Sequence, residues 1–254
     1  MKENEILKGQ IVEIVVNDKT GSPEHLILGM NDKFNVIIPV DKVNAEVPEG
    51  SDGAIFLSRR FLGREIVCKV IERNGKSVIA SHIDALNELK PAVMEKLPEG
   101  SVHECMITYV GRRELEAEID NCVTVHIPAS EYSYERITSL SDVAKPGMKI
   151  KVEIKGFNDS GKLIGSRKSL LPNPWHDAKD RFKPRNIYLG KVTGRLKDKG
   201  IFVHLGDGIS ALAAPIPFFP VEIGDNVALE VASVDAQNCK IKGRIIGLAP
   251  DIQV

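Results

Sequence analysis

The stretch GDNVALEVASVDAQNCKIKGR, residues 224–244, alternates apolar and polar side chains on either side of a polar segment. This alternation is typical of half-buried β-strands, because successive side chains of a strand point to opposite faces of the sheet. The polar segment, Asp235 to Asn238, has the composition of a tight turn. The stretch therefore predicts a β-hairpin that begins directly after a glycine.

The same pattern occurs twice more along the chain. It reads GREIVCKVIERNGKSVIASH at residues 63–82 and GMKIKVEIKGFNDSGKLIGSR at residues 147–167. Each copy opens on a glycine and closes on a histidine or an arginine, namely His82, Arg167 and Arg244. Three copies of one pattern indicate an internal repeat.

Further strand-like segments precede each hairpin. The first begins near Gln10, Ser101 and Asn186, and a later one runs up to a proline in the segments at 35–40, 123–130 and 211–216. Five strands per repeat is the content of a small closed β-barrel such as the oligonucleotide-binding (OB) fold. We expect an all-β chain of three tandem five-stranded OB-fold barrels.

The repeats also suggest domain boundaries. We expect one barrel with its connector in each of three domains, at residues 1–97, 98–184 and 185–254. Helical periodicity is confined mainly to residues 83–96 and 175–182, which predicts short helical connectors between the barrels.

Composition excludes several classes of protein. The net charge of the 254 residues is −1, which excludes binding to nucleic acid through overall positive charge but allows a local basic patch. The four cysteines and six histidines lack metal-ligand spacing, and no catalytic motif is recognisable. We expect no metal, no cofactor and no enzymatic activity. The N-terminus has no apolar run typical of a signal peptide, so we expect a cytoplasmic protein without a membrane partner.

Repeat three resembles the S1 domain of the bacterial ribosomal protein S1 family. The resemblance rests on Gly190-Lys191-Val192, on Gly200-Ile201-Phe202-Val203 and on Gly224-Asp225-Asn226-Val227. The connector Asn173-Pro174-Trp175 is similar to the linkers of that family, and repeat two retains Ser166-Arg167-Lys168. The resemblance implies tandem RNA-binding domains of the OB fold.

Trp175 allows two interpretations. It follows Pro172 and Pro174, which end the preceding strand because proline cannot donate to a strand ladder. We favour an interpretation in which the indole packs at the junction of repeats two and three. The alternative is that Trp175 belongs to the core of a single barrel.

Repeat three carries the strongest candidates for RNA contact. Strand alternation turns Phe202 and His204 outward and leaves Val203 for the core, so ring and imidazole can stack on bases. The cations expected to contact phosphates are Arg195, Lys197, Lys199 and Arg244. The sequence departs from the family at Lys199 and Ala214, where the resemblance implies an aromatic residue and a histidine.

Repeat two offers fewer candidates, and repeat one offers none. The predicted RNA contacts of repeat two are Arg112, Arg113, Arg167 and Lys168. Three acids, Glu114, Glu116 and Glu118, alternate along one strand face, which we expect to repel phosphate. Repeat one shows no outward aromatic platform, so we expect it to contact protein or to act as a scaffold.

Two hypotheses of function remain open. The first is a non-catalytic single-stranded RNA-binding protein that acts on mRNA, on the ribosome or in RNA metabolism, with the ribosome or another RNA-processing protein as a further partner. The second is a protein-interaction adaptor whose barrels have lost their RNA-stacking residues.

Overall fold

A computed structural model describes residues 2–29, 35–45, 49–75, 77–135, 137, 139–196, 200–214 and 221–249. Their strands form three closed barrels of five strands each, which confirms the predicted all-β class. Barrel one contains β1 Ile6–Val16, β2 Pro23–Gly29, β3 Asn35–Pro39, β4 Glu65–Asn74 and β5 Ser77–Ser81. Barrel two contains β6 Val102–Val110, β7 Glu114–Ile119, β8 Val123–Pro128, β9 Lys149–Phe157 and β10 Leu163–Ser166. Barrel three contains β11 Ile187–Leu196, β12 Gly200–Gly206, β13 Ile209–Ala214, β14 Asn226–Asp235 and β15 Lys240–Leu248.

Short helices connect the strands. The α-helices are α1 Gly53–Phe61, α2 His82–Met94, α3 Ala129–Tyr132 and α4 Ala178–Arg181. Single 3₁₀ turns span Val40–Lys42, Leu140–Asp142 and Lys168–Leu170. The two longest connectors begin on side-chain caps, because Asp52 accepts from the Ile55 N–H and Ser81 accepts from the Asp84 N–H, each at 3.0 Å.

The three barrels share one topology. In each, the strands are ordered first, second, third, fifth and fourth around the wall. The third and fifth strands pair in parallel, and the remaining neighbours pair antiparallel. Inward side chains of every second residue fill the interior, as Ile201 and Val203 do on β12. This is the arrangement expected of an OB-type barrel.

A glycine closes each barrel just before its fourth strand. The three glycines have φ values of 76°, 87° and 105°, a region that favours glycine, and they are Gly63, Gly147 and Gly224. The N–H of each donates to a carbonyl of the first strand at 2.8 Å, in the pairs Gly63–Ile11, Gly147–Ile107 and Gly224–Val192. The repeated glycine seen in the sequence is thus the point where the first and fourth strands are joined.

The described residues fall into two compact units. The first unit comprises Met1–Pro128 and Ser139–Arg167, and it therefore contains barrels one and two. The second unit comprises Ala129–Thr138 and Lys168–Val254, which is barrel three together with a segment that lies between β8 and β9 in sequence. The expected boundaries at 97/98 and 184/185 stay predictions.

Two ion pairs join barrels one and two within the first unit. Arg60, in the last turn of α1, lies 3.3 Å from a carboxylate oxygen of Glu116 on β7. Arg64 forms a second pair with Glu118, and both side chains are at most 16 % exposed. Asn121 adds a hydrogen bond from its side-chain amide to the Glu65 carbonyl at 3.1 Å. Because the second pair is largely withdrawn from water, it is screened less by salt than a surface pair.

The cysteines are free thiols. Cys68, Cys105 and Cys122 are buried and Cys239 is exposed. Burial raises the pKa of the Cys68 and Cys105 thiols to about 12, so these two behave as small apolar core residues. Among the described residues, no group of three or more histidine, cysteine or acidic side chains is arranged to hold a metal ion. No helix in the same ranges is long and apolar enough to cross a membrane.

We predict that Gly224→Ala destabilises the second unit. Alanine at φ 105° places a Cβ in a region that L-residues avoid, at a cost of roughly 1–2 kcal/mol. The matched control is Gly247→Ala, where an added Cβ meets nothing within 4 Å and no left-handed φ is required. Urea unfolding followed by circular dichroism measures both, and equal midpoints for the two variants would contradict the role given to the glycine turn.

We predict that acid weakens the first unit through His82. Its Nδ1–H donates to the Val67 carbonyl at 2.7 Å, and the ring is 4 % exposed. Burial lowers the pKa of His82 below its ordinary value. The unfolded chain therefore binds a proton that the folded chain excludes, so stability is retained above about pH 6.5 and falls as the pH drops below it.

The measurement is the urea midpoint at pH 7.5 and at pH 5.5 for the parent and for His82→Gln. We expect a smaller difference between the two pH values in the variant. Some difference is expected to remain, because burial also lowers the pKa of His126. An undiminished difference in the variant would show that His82 does not carry the effect.

Candidate nucleic-acid interface

The outward face of barrel three presents the predicted ring and imidazole. On β12, Phe202 and His204 are half-buried, whereas Val203 between them is 0 % exposed and lies in the core. Phe202 pairs with Gly194 on β11, and a Cβ added to that glycine would meet the Phe202 ring at 3.9 Å. Gly194 therefore places no side chain against the Phe202 ring from the neighbouring strand.

Cross-strand register extends this face over four strands. The row through Phe202 continues to Leu212 on β13 and then to Lys242 on β15. The row through His204 joins Lys191 on β11 to Ser210 on β13. Both lysines are exposed. Neither lysine was among the predicted contacts. The alternation of Lys240, Lys242 and Arg244 along β15 could have indicated that Lys242 faces outward.

The predicted cations of barrel three have different roles. The Arg195 guanidinium donates to the Val221 carbonyl at 2.6 Å, so it also holds the segment before β14. Arg244 lies 2.7 Å from a carboxylate oxygen of Glu230, with 71 % of its side chain exposed. Such an exposed pair is worth about 0–1 kcal/mol, so it leaves Arg244 able to exchange its partner for a phosphate. Lys197 and Lys199 lie outside the described residues.

The strand register shows that His82, Arg167 and Arg244 do not occupy the same position in the three barrels. Arg244 pairs with Glu230, six residues after Gly224, and the matching positions in the other barrels are Ser166 and Ser81. Arg167 and His82 therefore come one residue later than Arg244 in the repeat. The offset arises because the whole hairpins, paired arms and turn together, differ in length between the pairs Lys69–Ser81, Glu153–Ser166 and Glu230–Arg244.

The acidic strand of barrel two makes contacts that were not predicted. Register places Glu116 and Glu118 at the positions that Phe202 and His204 occupy in barrel three. Arg60 and Arg64 pair with these two acids, and Lys162 lies 3.3 Å from Glu114. Two of the three acids thus bind barrel one and the third binds a lysine of barrel two, while the expectation that this face repels phosphate stays a prediction.

Two of the remaining predicted contacts lie in the turn before that acidic strand, and the other two lie on either side of a unit boundary in sequence. Arg112 and Arg113 are exposed in the turn between β6 and β7, beyond the half-exposed Tyr109. Arg167 is half-buried at the end of the first unit. Lys168 begins the second unit, where its ammonium lies 4.8 Å from the centre of the Tyr134 ring. Ala214, exposed at the end of β13, pairs with Arg244.

His126 lies beside the acidic strand of barrel two. On β8 it pairs with Glu116, and its Nδ1 is buried without a hydrogen-bond partner in the described part of the chain. Burial is also the main reason that the pKa of His126 is lowered. Burial therefore favours the neutral form of this imidazole.

Trp175 belongs to the core of one barrel. Its indole is 5 % exposed and packs in the cluster that includes Ala178, Phe182 and Val203, with Tyr134 partly buried against the same cluster. Asn173 Oδ1 accepts from the Trp175 N–H at 3.0 Å, which fixes the turn that leads into α4. The preferred interpretation, packing at the junction of two repeats, was wrong, and the alternative describes the structure.

We predict that Trp175→Ala destabilises the second unit by about 3–5 kcal/mol, the usual cost of removing a buried aromatic side chain. The control is His176→Ala at the neighbouring exposed position, which we expect to change stability by less than about 0.5 kcal/mol. Urea unfolding followed by circular dichroism measures both, since the variant loses the only tryptophan. A small effect at Trp175 would contradict its place in the core.

Comparison with known proteins found relatives but no matching family model. A 4-hydroxy-3-methylbut-2-enyl diphosphate reductase of Clostridium tetani is 30 % identical over 95 % of this chain and 45 % of its own length. The small ribosomal subunit protein bS1 of Staphylococcus saprophyticus is 29 % identical over 76 % of this chain and 53 % of its own. The bS1 protein of Staphylococcus aureus is 23 % identical over 100 % of this chain and 64 % of its own. The chain thus spans about half the length of these relatives.

A solved structure of a multidomain protein with nucleic acid binding domains from Streptococcus pneumoniae covers 94 % of this chain and 72 % of its own, with a TM-score of 0.22 and 10 % identity. A TM-score this low carries no argument here. The three closed barrels and their shared strand order define a protein of tandem OB-type domains. Together with the bS1 relatives, this architecture makes the chain similar to proteins of the S1-like family.

Proposed function

We propose that the chain binds single-stranded RNA without catalysing a reaction, and that barrel three makes the principal contact. The observation that carries the proposal is the outward row of Gly194, Phe202, Leu212 and Lys242 across four strands. A half-buried ring beside exposed lysines combines base stacking with phosphate neutralisation, which is the chemistry of non-specific single-strand binding. The proposed domains, at 1–97, 98–184 and 185–254, give each barrel a separate role.

Barrels one and two differ from barrel three at the decisive positions. Register places Ile27 and Gly29 of barrel one, and Glu116 and Glu118 of barrel two, where barrel three has Phe202 and His204. The two acids are also engaged by Arg60 and Arg64. In barrel two, we therefore assign RNA contact to the exposed Arg112 and Arg113 in the turn between β6 and β7.

The names of the relatives suggest the cellular setting. Several are proteins of the small ribosomal subunit, so we propose mRNA and the ribosome as the partners of this chain. The reductase activity named for the Clostridium tetani relative is assigned to a protein more than twice as long as the matched share. We do not extend that activity to this chain.

A second candidate function, a protein-interaction adaptor, is favoured by an apolar patch on barrel three. Ile187 and Leu189 on β11 and Ile246 and Leu248 on β15 are all at least 45 % exposed, and they flank β14 between them. Exposed patches of this kind are common at protein contacts. This patch shares strands β11 and β15 with the RNA face but uses different residues, so it does not require loss of that face.

We predict that Phe202→Leu weakens binding of a fluorescein-labelled single-stranded RNA. Leucine keeps apolar volume but cannot stack, so Kd should rise roughly 5- to 150-fold, which corresponds to about 1–3 kcal/mol per stacked base. Fluorescence anisotropy of the full chain measures Kd. The matched control is Phe157→Leu, which removes a ring that is 61 % exposed on barrel two.

The same titration is repeated at several salt concentrations. We expect affinity to fall with salt, and Lys242→Gln to reduce the slope of log Kd against log salt by about 0.7, the contribution of one phosphate contact on a single strand. No binding at low salt would contradict the proposal and favour the adaptor. Equal effects of Phe202→Leu and Phe157→Leu would contradict the assignment of the site to barrel three.

A further inference from the structure

An open groove lies between barrels one and two inside the first unit. Its volume is about 550 Å³, within the range of small-ligand sites. One wall is α1 of barrel one, and the other is formed by the ends of β6 and β7 in barrel two. The Arg60–Glu116 pair joins the two walls at 3.3 Å, so neither barrel alone contains the groove.

The walls carry apolar and aromatic side chains. Tyr109 on β6 is 50 % exposed, and Ile55 on α1 is 51 % exposed. Phe56, next to Ile55, is half-buried. A solvent-accessible phenol opposite an aliphatic side chain offers a slot for a flat ring, because aromatic side chains stack on nucleic-acid bases of any sequence.

The lining of the groove carries two acids, Asp52 and Glu116, and two cations, Arg59 and Arg60. Glu116 is paired with Arg60, Glu114 with Lys162, and Asp52 accepts the N–H that begins α1. Arg59 is exposed, and its side chain has no hydrogen bond or ion pair to any residue in the described ranges. An exposed guanidinium without an ion pair can bind an anion.

Two further guanidiniums, outside the lining, add positive charge close to Tyr109 in sequence. Arg112 and Arg113 are exposed three and four residues after Tyr109, in the turn that follows β6. A flat ring joined to a phosphate, with further phosphates on either side, matches this arrangement. Single-stranded nucleic acid is the class of ligand that supplies all three features.

We infer that this groove binds one or two nucleotides of single-stranded RNA, with the base on Tyr109 and a phosphate on Arg59. The inference rests on the proposed RNA-binding function and adds a second contact, in which barrel one supplies a cation. It departs from the expectation that barrel one contacts protein or acts as a scaffold.

The test uses the full chain with labelled single-stranded RNA and the variants Tyr109→Leu, Arg59→Gln and Phe202→Leu. We expect Tyr109→Leu to raise Kd by at least about fivefold, the lower end of the loss of one stacked base. We expect Arg59→Gln to reduce the salt slope by about 0.7. Lys19→Gln, at an exposed cation of barrel one outside the groove, should leave the slope unchanged.

A crosslinking readout locates the contact directly. RNA substituted with 5-bromouridine is irradiated on the full chain, and crosslinked peptides are identified by mass spectrometry. Adducts on the peptide that contains Tyr109 support the inference, and adducts confined to barrel three overturn it. If Phe202→Leu weakens binding while Tyr109→Leu and Arg59→Gln do not, only the groove is rejected. If no variant matters because RNA does not bind at all, the proposed function fails as well.

Discussion

Each barrel closes through the ladder between its first and fourth strands, which ends at a hydrogen bond from the N–H of a glycine in the left-handed region to a carbonyl of the first strand. The bond joins the first and fourth strands at the same point in all three barrels. Since a closed barrel has no free edge, the rest of the wall can then be built from short strands with little helical support. The outward side chains are not needed for closure, so they can differ between the barrels, as they do on the second strands.

The outward residues of the second strand differ in their contacts between barrels two and three. In barrel three, Phe202 and His204 stand on the outer face of β12, while the equivalent residues of barrel two are Glu116 and Glu118. The acids receive Arg60 and Arg64 and join two barrels into one compact unit. A position proposed for ligand stacking in one copy joins two barrels in another, because the OB wall turns it outward in every copy.

The barrels were predictable from sequence because their determinants are local. Alternation and the recurring glycine fix the strands, and alternation also places Val203 inside and Phe202 outside. Three features were not predictable. The pairing of Arg60 and Arg64 with acids more than fifty residues away depends on how two barrels meet. The one-residue offset between Arg244 and Arg167 depends on the length of the whole hairpin, and the core that Trp175 joins depends on which residues surround it in the folded chain.

The segment Ala129–Thr138 leaves barrel two between its third and fourth strands and packs with barrel three, where Tyr134 covers the Trp175 cluster. During synthesis, this segment emerges well before the strands that it will cover, since chains are made from the N-terminus. Tyr134 therefore lacks most of its apolar partners until about a hundred further residues have been synthesised. Barrel three thus packs against a segment that is synthesised before its own strands, so its folding is coupled to the order of translation.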